Sequence, residues 1–167
     1  MLSKINIGRI VRDHLATLQD DATGRRMKSD YLVFFGLPIV VAFFLAFVLN
    51  LSVNQGAVGI LVTSLSIFAA LLFNLLLLIY DVVSKVEQGS RKLKERYLSQ
   101  VYSNISFAIL VSIVSIIVLL VAYFDLDGSC FALATSFVVY YLVTLFLLTL
   151  FMILKRVHIL LSREFED

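Results

Sequence analysis

The sequence predicts an all-α integral membrane protein, a bundle of four transmembrane helices with helical extensions into the cytoplasm. Hydrophobic residues make up 60% of its 167 residues, and charged residues only 16%. Mean hydropathy is +0.98. A soluble domain of this size needs more polar surface to cover its core. Because backbone N–H and C=O groups find no partner in lipid, we expect the spans to be helices.

Four apolar runs are long enough to cross a bilayer, which takes about 20 helical residues at about 1.5 Å each. None of them contains Lys, Arg, Asp or Glu. The predicted spans are residues 31–50, 57–80, 101–124 and 130–154. They define a transmembrane domain, residues 31–154, between a cytoplasmic helix and linker, residues 1–30, and a cytoplasmic C-terminal helix, residues 155–167.

The basic residues predict the orientation. Of the 14 Lys and Arg residues, six precede the first span, five lie between the second and third spans, and three follow the fourth. The opposite loops, residues 51–56 and 125–129, carry no basic residue and only two acidic ones, Asp125 and Asp127. The positive-inside rule therefore places both termini and the hairpin tip, residues 81–100, in the cytoplasm. We expect a multi-pass protein of the bacterial inner membrane.

Residues 2–19 predict an amphipathic helix with basic residues on its polar faces. Its apolar residues recur at helical spacing: Leu2, Ile7, Ile10, Val11, Leu15 and Leu18. Three interpretations follow: a helix on the anionic inner leaflet, a helix docked on a partner protein, or a helix packed under the protein's own bundle. His14 and His158 are distant in sequence and lack other metal ligands nearby, so each is expected at the surface.

An asparagine interrupts the leucine-rich second span, in LLFNLLLLIYD. If Gly89 forms the hairpin tip, Asn74 lies level with Asn104 of the third span. Both spans then carry matching stripes of small and polar residues at steps of three and four. The second-span stripe is Gly56, Gly59, Thr63, Ser66, Ala70 and Asn74. The third-span stripe is Asn104, Ala108, Ser112, Ser115, Leu119 and Ala122, in which Leu119 is the one large member.

Two interpretations of these stripes remain open. In the first, they form a dry seam between the second and third spans, where Asn74 bonds to Asn104 or to a nearby carbonyl and contributes on the order of 1 kcal/mol. In the second, the stripes face an oligomer axis and their hydroxyls line a narrow polar path. The lining residues are then Thr63, Ser66, Ser112 and Ser115. Such neutral groups discriminate little between ions of different charge.

Several function classes are disfavoured. The spans lack an ionisable group of the kind that pumps and proton-coupled carriers use. The sequence has no Gly-rich phosphate loop and no HExxH motif, so we expect a non-enzymatic protein without cofactor or metal. The basic residues are explained by topology, and nucleic-acid binding is not expected. The basic tip instead predicts contact with a soluble cytoplasmic protein, through Arg91, Lys92, Lys94 and Arg96.

The layout of the whole chain, from LSKINIGRIVRDH through four spans to KRVHILLSREFED, resembles the membrane components of bacterial anti-phage defence systems. It is similar in plan to the membrane subunit of Kiwa-type two-gene systems. The resemblance rests on layout, and no functional residue is carried over from it. It implies an inner-membrane homo-oligomer that senses infection at the envelope and works with a soluble cytoplasmic partner.

The sequence therefore predicts a non-enzymatic sensor or scaffold that contacts membrane lipid, forms homo-oligomers and engages a soluble partner. The alternative is a pore-forming effector that depolarises the membrane when it is triggered. A third function class is a housekeeping role in membrane assembly or in the regulation of transport.

Overall fold

The computed structural model describes residues 7–18, 28–85, 91–124 and 129–164 of the chain. Five α-helices occupy these ranges, and no strand occurs within them. The helices are α1 (Ile7–Ala16), α2 (Lys28–Phe43), α3 (Gln55–Lys85), α4 (Arg91–Phe124) and α5 (Ser129–Glu164). A short π-helical segment, Phe44–Val48, continues α2. The all-helical fold class is confirmed.

Four of these helices are long and apolar enough to cross a membrane, as predicted. Their apolar stretches are Tyr31–Val48, Gln55–Asp81, Leu98–Phe124 and Phe131–Ile159. α3 and α4 both run beyond these stretches, to Lys85 and from Arg91 respectively. Gly89, the predicted hairpin tip, lies outside the described residues.

The four spans form an open row in the order α3, α4, α5, α2. α4 packs against α3, α5 and α1, whereas α2 packs against α5. Among the described residues, α2 and α3 do not contact each other although they are consecutive. The buried share of each span agrees, at 44% for α4 and 11% for α3. α4 is therefore the most buried span of the row, and α3 is one edge of it.

The centre of α4 is packed through small side chains. Ala108 and Ser112 are fully buried, and Ser115 is almost so. In lipid, apolar side chains gain little by leaving the solvent, so close approach of the backbones drives helix packing instead. The small residues predicted on the third span therefore lie on a packed face, as close packing requires.

The turn between α2 and α3 is tied to α5. Asn50 adopts a left-handed backbone conformation with φ of 52°, which asparagine tolerates well. Asn54 caps α3, because its Oδ1 accepts the Ala57 N–H at 2.8 Å. The buried Val53 N–H donates to Ser136 Oγ of α5 at 3.0 Å. Ser136 thereby joins the turn to a span that is remote in sequence.

Replacing Ser136 with alanine should destabilise the fold, because the Val53 N–H then loses its acceptor. An unsatisfied buried donor costs about 1–3 kcal/mol, which denaturant unfolding in detergent micelles measures. Thr135→Val is the matched control, since the Thr135 hydroxyl donates to Phe131 O of its own helix. Equal losses in the two variants would contradict the tethering role.

Candidate functional site

α1 docks on α4 at the end of the row that also carries Arg156. Leu18 is buried and Leu15 is half-buried, whereas Arg9 and Arg12 are exposed. The apolar face of the helix is thus turned toward the spans and its cationic face away from them. The described part of this segment thus packs on the protein's own bundle, and its contact with the inner leaflet or with a partner protein stays a prediction.

A polar cluster lies beneath α1, centred on the fully buried His14. His14 Nδ1 is 2.9 Å from Asn104 Oδ1, and it donates to that oxygen. The Thr17 hydroxyl donates to His14 O at 2.7 Å and lies 2.8 Å from Asn104 Oδ1, so its one proton is shared between two acceptors. The imidazole stacks on Phe107 with ring centroids 3.9 Å apart, and Phe34 of α2 lies 5.2 Å away.

The C-terminal end of α1 is held by two further spans. The last carbonyls of a helix have no partner within it and form the negative end of its dipole. Arg156 Nη2 of α5 donates to Thr17 O at 2.5 Å, and the Tyr31 hydroxyl of α2 donates to Leu15 O at 2.6 Å. Arg156 Nη1 also donates to Gln100 Oε1 of α4 at 2.9 Å. α2, α4 and α5 therefore meet at this one helix end.

Two buried polar atoms of the cluster lack a hydrogen-bond partner among the described residues, His14 Nε2 and Asn104 Nδ2. Turning the Asn104 carboxamide around exchanges its oxygen and nitrogen, but one end of the amide stays unmatched either way. Each unmatched buried group costs about 1–3 kcal/mol. Such groups are uncommon in native folds, and they mark this cluster as a candidate functional site.

Burial lowers the pKa of His14 from its ordinary value of 6.5 to about 4, chiefly because the charged form loses its water. The hydrogen bond to Asn104 raises this pKa in part, and the positive charge of Arg156 lowers it. The imidazole is therefore neutral at pH 7. When its proton is on Nδ1, the buried Nε2 carries a lone pair that has no hydrogen-bond donor among the described residues.

The expected surface position is confirmed for His158, which is exposed, and is wrong for His14. The reason is helical spacing. His14 follows Ile10 by four residues and precedes Leu18 by four, so it shares the apolar face of α1. The sequence carried this signal, although it does not indicate which side chain meets the imidazole.

The two predicted stripes face different ways. Asn104, Ser112 and Ser115 of α4 are buried inside the row, whereas Thr63, Ser66 and Asn74 of α3 are exposed on its outside. Among the described residues, Asn74 and Asn104 do not form the expected hydrogen bond, because Asn74 faces the outside of the row whereas Asn104 is buried inside it. Whether the stripes line a pore or a seam between copies stays a prediction.

A second pattern explains why α3 turns its small residues outward. Its buried residues recur every seven positions, at Val58, Leu65, Leu72 and Ile79. This is the spacing of a left-handed helix seam, in which large apolar side chains interlock with the neighbouring helix. α3 packs on α4 through that seam, which leaves the stripe on another face.

The four basic residues of the predicted partner contact all lie in the first turns of α4, which begins at Arg91. They are Arg91, Lys92, Lys94 and Arg96. Their contact with a soluble protein stays a prediction.

The described residues contain no group of three or more His, Cys, Asp or Glu side chains placed to hold a metal ion. No protein-family model, curated protein or solved structure matches the chain. Function is therefore argued from the residues of the chain itself.

Replacing Asn104 with leucine should loosen α1, because the buried His14 N–H loses its acceptor. A cost of about 1.4 kcal/mol corresponds to a tenfold rise in helix opening, which hydrogen exchange of the α1 amides measures. Ser103→Ala is the control, since that hydroxyl donates to Ser99 O of its own helix. Unchanged α1 protection in Asn104→Leu would contradict the role assigned to the cluster.

Proposed function

We propose that this protein is a non-enzymatic, homo-oligomeric sensor or scaffold of the inner membrane that engages a soluble cytoplasmic partner. The proposal of an oligomer rests on one observation: α3 presents Thr63, Ser66 and Asn74 on the outside of the row. The non-enzymatic assignment rests on the spans, whose polar side chains are neutral.

The depth of Asn74 makes this exposure costly for a lone chain. The apolar stretch of α3, Gln55–Asp81, is longer than the roughly 30 Å of bilayer hydrocarbon. Asn74 lies roughly 10 Å before its end, at about 1.5 Å per residue, and so falls within the hydrocarbon when the stretch is centred. Its amide has no hydrogen bond among the described residues. Lipid tails offer none, and an unsatisfied polar group there costs several kcal/mol.

The hydroxyls on this face form hydrogen bonds within α3, so the Asn74 amide is the group that needs a partner from a second chain. Thr63 donates to Gly59 O at 2.9 Å and Ser66 donates to Val62 O at 2.8 Å. A Cβ added at Gly59 meets nothing within 4 Å, so the face is open. Small residues let another backbone approach closely, and the same face on a second copy brings an identical amide.

The proposed partner meets the cationic end of the molecule. Arg9 and Arg12 are exposed on α1, which docks on α4, and the four basic residues open α4 itself. A soluble protein with an acidic surface complements this end. The layout resemblance supplies anti-phage defence as the proposed context.

Replacing Asn74 with leucine should weaken assembly, because the interhelical amide bond is lost. A contribution of on the order of 1 kcal/mol corresponds to a several-fold shift toward monomer in native mass spectrometry from mild detergent. Phe73→Leu is the control, since Phe73 is an exposed apolar neighbour on the same helix. A wild-type protein that is only monomeric would refute the oligomer.

The pore-forming effector stays the second candidate, since an oligomer axis along α3 brings the Thr63 and Ser66 hydroxyls to one path. In vesicles, a pore should dissipate an imposed membrane potential, and Ser66→Leu together with Ser112→Leu should block that. Ser112 is buried within the chain, so Ser66→Leu alone should give most of the block. A scaffold leaves the potential intact, and loses partner binding when Arg91, Lys92, Lys94 and Arg96 become glutamine.

A further inference from the structure

One titratable side chain is sealed inside the described part of the protein. His14 is fully buried, and it is the only ionisable side chain in that part of the chain with this degree of burial. Its position between α1, α2 and α4 contributes nothing to the oligomer face on α3. The proposed oligomer and partner contact therefore do not explain why His14 is buried in this cluster.

The described groups around His14 disfavour a positive charge on its imidazole. From α4 it meets Asn104 and Phe107, and from α2 it meets Phe34, all of them neutral. The neighbouring charge from α5 is the Arg156 cation. On α1 itself, Asp13 is half exposed and lies 3.7 Å from Arg9, while Arg12 is exposed.

Protonation therefore conflicts with docking. A second proton on the imidazole goes to Nε2, which has no acceptor among the described residues. The resulting cation is desolvated and is repelled by Arg156, and no carboxylate of the described residues offsets either cost. Once α1 leaves α4, water solvates the imidazolium and both costs vanish. The proton thus favours the undocked helix.

We propose that His14 makes α1 a proton-sensitive latch, in which protonation of the buried imidazole releases α1 from the spans. Release uncovers the α4 surface around Asn104. It also frees a helix with one apolar face and two exposed arginines, Arg9 and Arg12, at the cationic end of the molecule. The latch goes beyond the proposed function, since it regulates a contact within one chain and does not depend on assembly or on a partner.

The direction of the pH dependence follows from linkage. The pKa of His14 is about 4 when α1 is docked, below its ordinary value of 6.5. Docking is therefore at full strength above pH 6.5. It weakens about tenfold for each pH unit between 6.5 and 4 and stays constant below that, for a total change of about 300-fold.

Hydrogen exchange of the full chain, in nanodiscs of phosphatidylcholine, tests the latch. The readout is the opening constant of the α1 amides, corrected for the intrinsic pH dependence of exchange. In the wild type it should rise about tenfold per pH unit from 6.5 to 4, while the amides of α4 and α5 keep their protection. His14→Gln should abolish this rise. His158→Gln is the matched control, because that histidine is exposed, and it should leave the rise intact.

If α1 of the His14→Gln variant does not dock at any pH, imidazole titration of the wild type by NMR still tests the latch. The apparent pKa of His14 should lie below 6.5 and follow the loss of α1 protection. A His14 pKa near 6.5 with α1 protected throughout would overturn the latch, as would a wild-type rise in His14→Gln. Neither measurement reads the oligomeric state, so failure of the latch is distinguishable from failure of the Asn74 assembly experiment.

Discussion

The structure depends on one constraint: within the membrane, polar groups must find their hydrogen bonds inside the protein. Short hydroxyls meet it locally. The side chains of Ser115 and Thr149 both donate to the carbonyl four residues earlier, and such bonds ask nothing of the tertiary structure. Asparagine, histidine and arginine do not close on their own helix in this way, so they need partners from elsewhere. The hydrogen bonds of His14, Asn104 and Arg156 fix α1 on the spans, whereas Asn74, on the outward face of α3, has no such partner among the described residues.

The docking of α1 is specified by chemistry more than by apolar area. Its apolar face would gain as much against lipid as against the spans, as amphipathic helices at membrane surfaces do. The carbonyls of Leu15 and Thr17 decide the outcome, since Tyr31 and Arg156 donate to them from two different spans. The His14 pair with Asn104 adds a third point of attachment on α4. Three fixed points define both the position and the rotation of the helix.

Small residues in a span indicate close packing without naming the neighbour. On α4 the stripe around Ser112 is buried within the chain, whereas the similar stripe on α3 lies outside it. The seven-residue seam of α3, from Val58 to Ile79, decides between the two cases, because a helix cannot present both faces to one neighbour. The outward stripe and the α1 cluster lie on different helices, so the proposed assembly and the proposed latch are separable by mutation.

The sequence by itself determined the four spans and their helical type, because crossing a bilayer requires about 20 consecutive apolar residues and helices satisfy their own backbone. The spacing of His14 from Ile10 and Leu18 also carried the signal of the apolar face of α1, although the expected surface position of His14 was wrong. Only the tertiary structure decided that His14 meets Asn104, 90 residues away, and that Arg156 meets Thr17, 139 residues away. The physical reason is that apolar length is a local property of the chain. The partner of a polar side chain depends instead on how remote helices are rotated against each other.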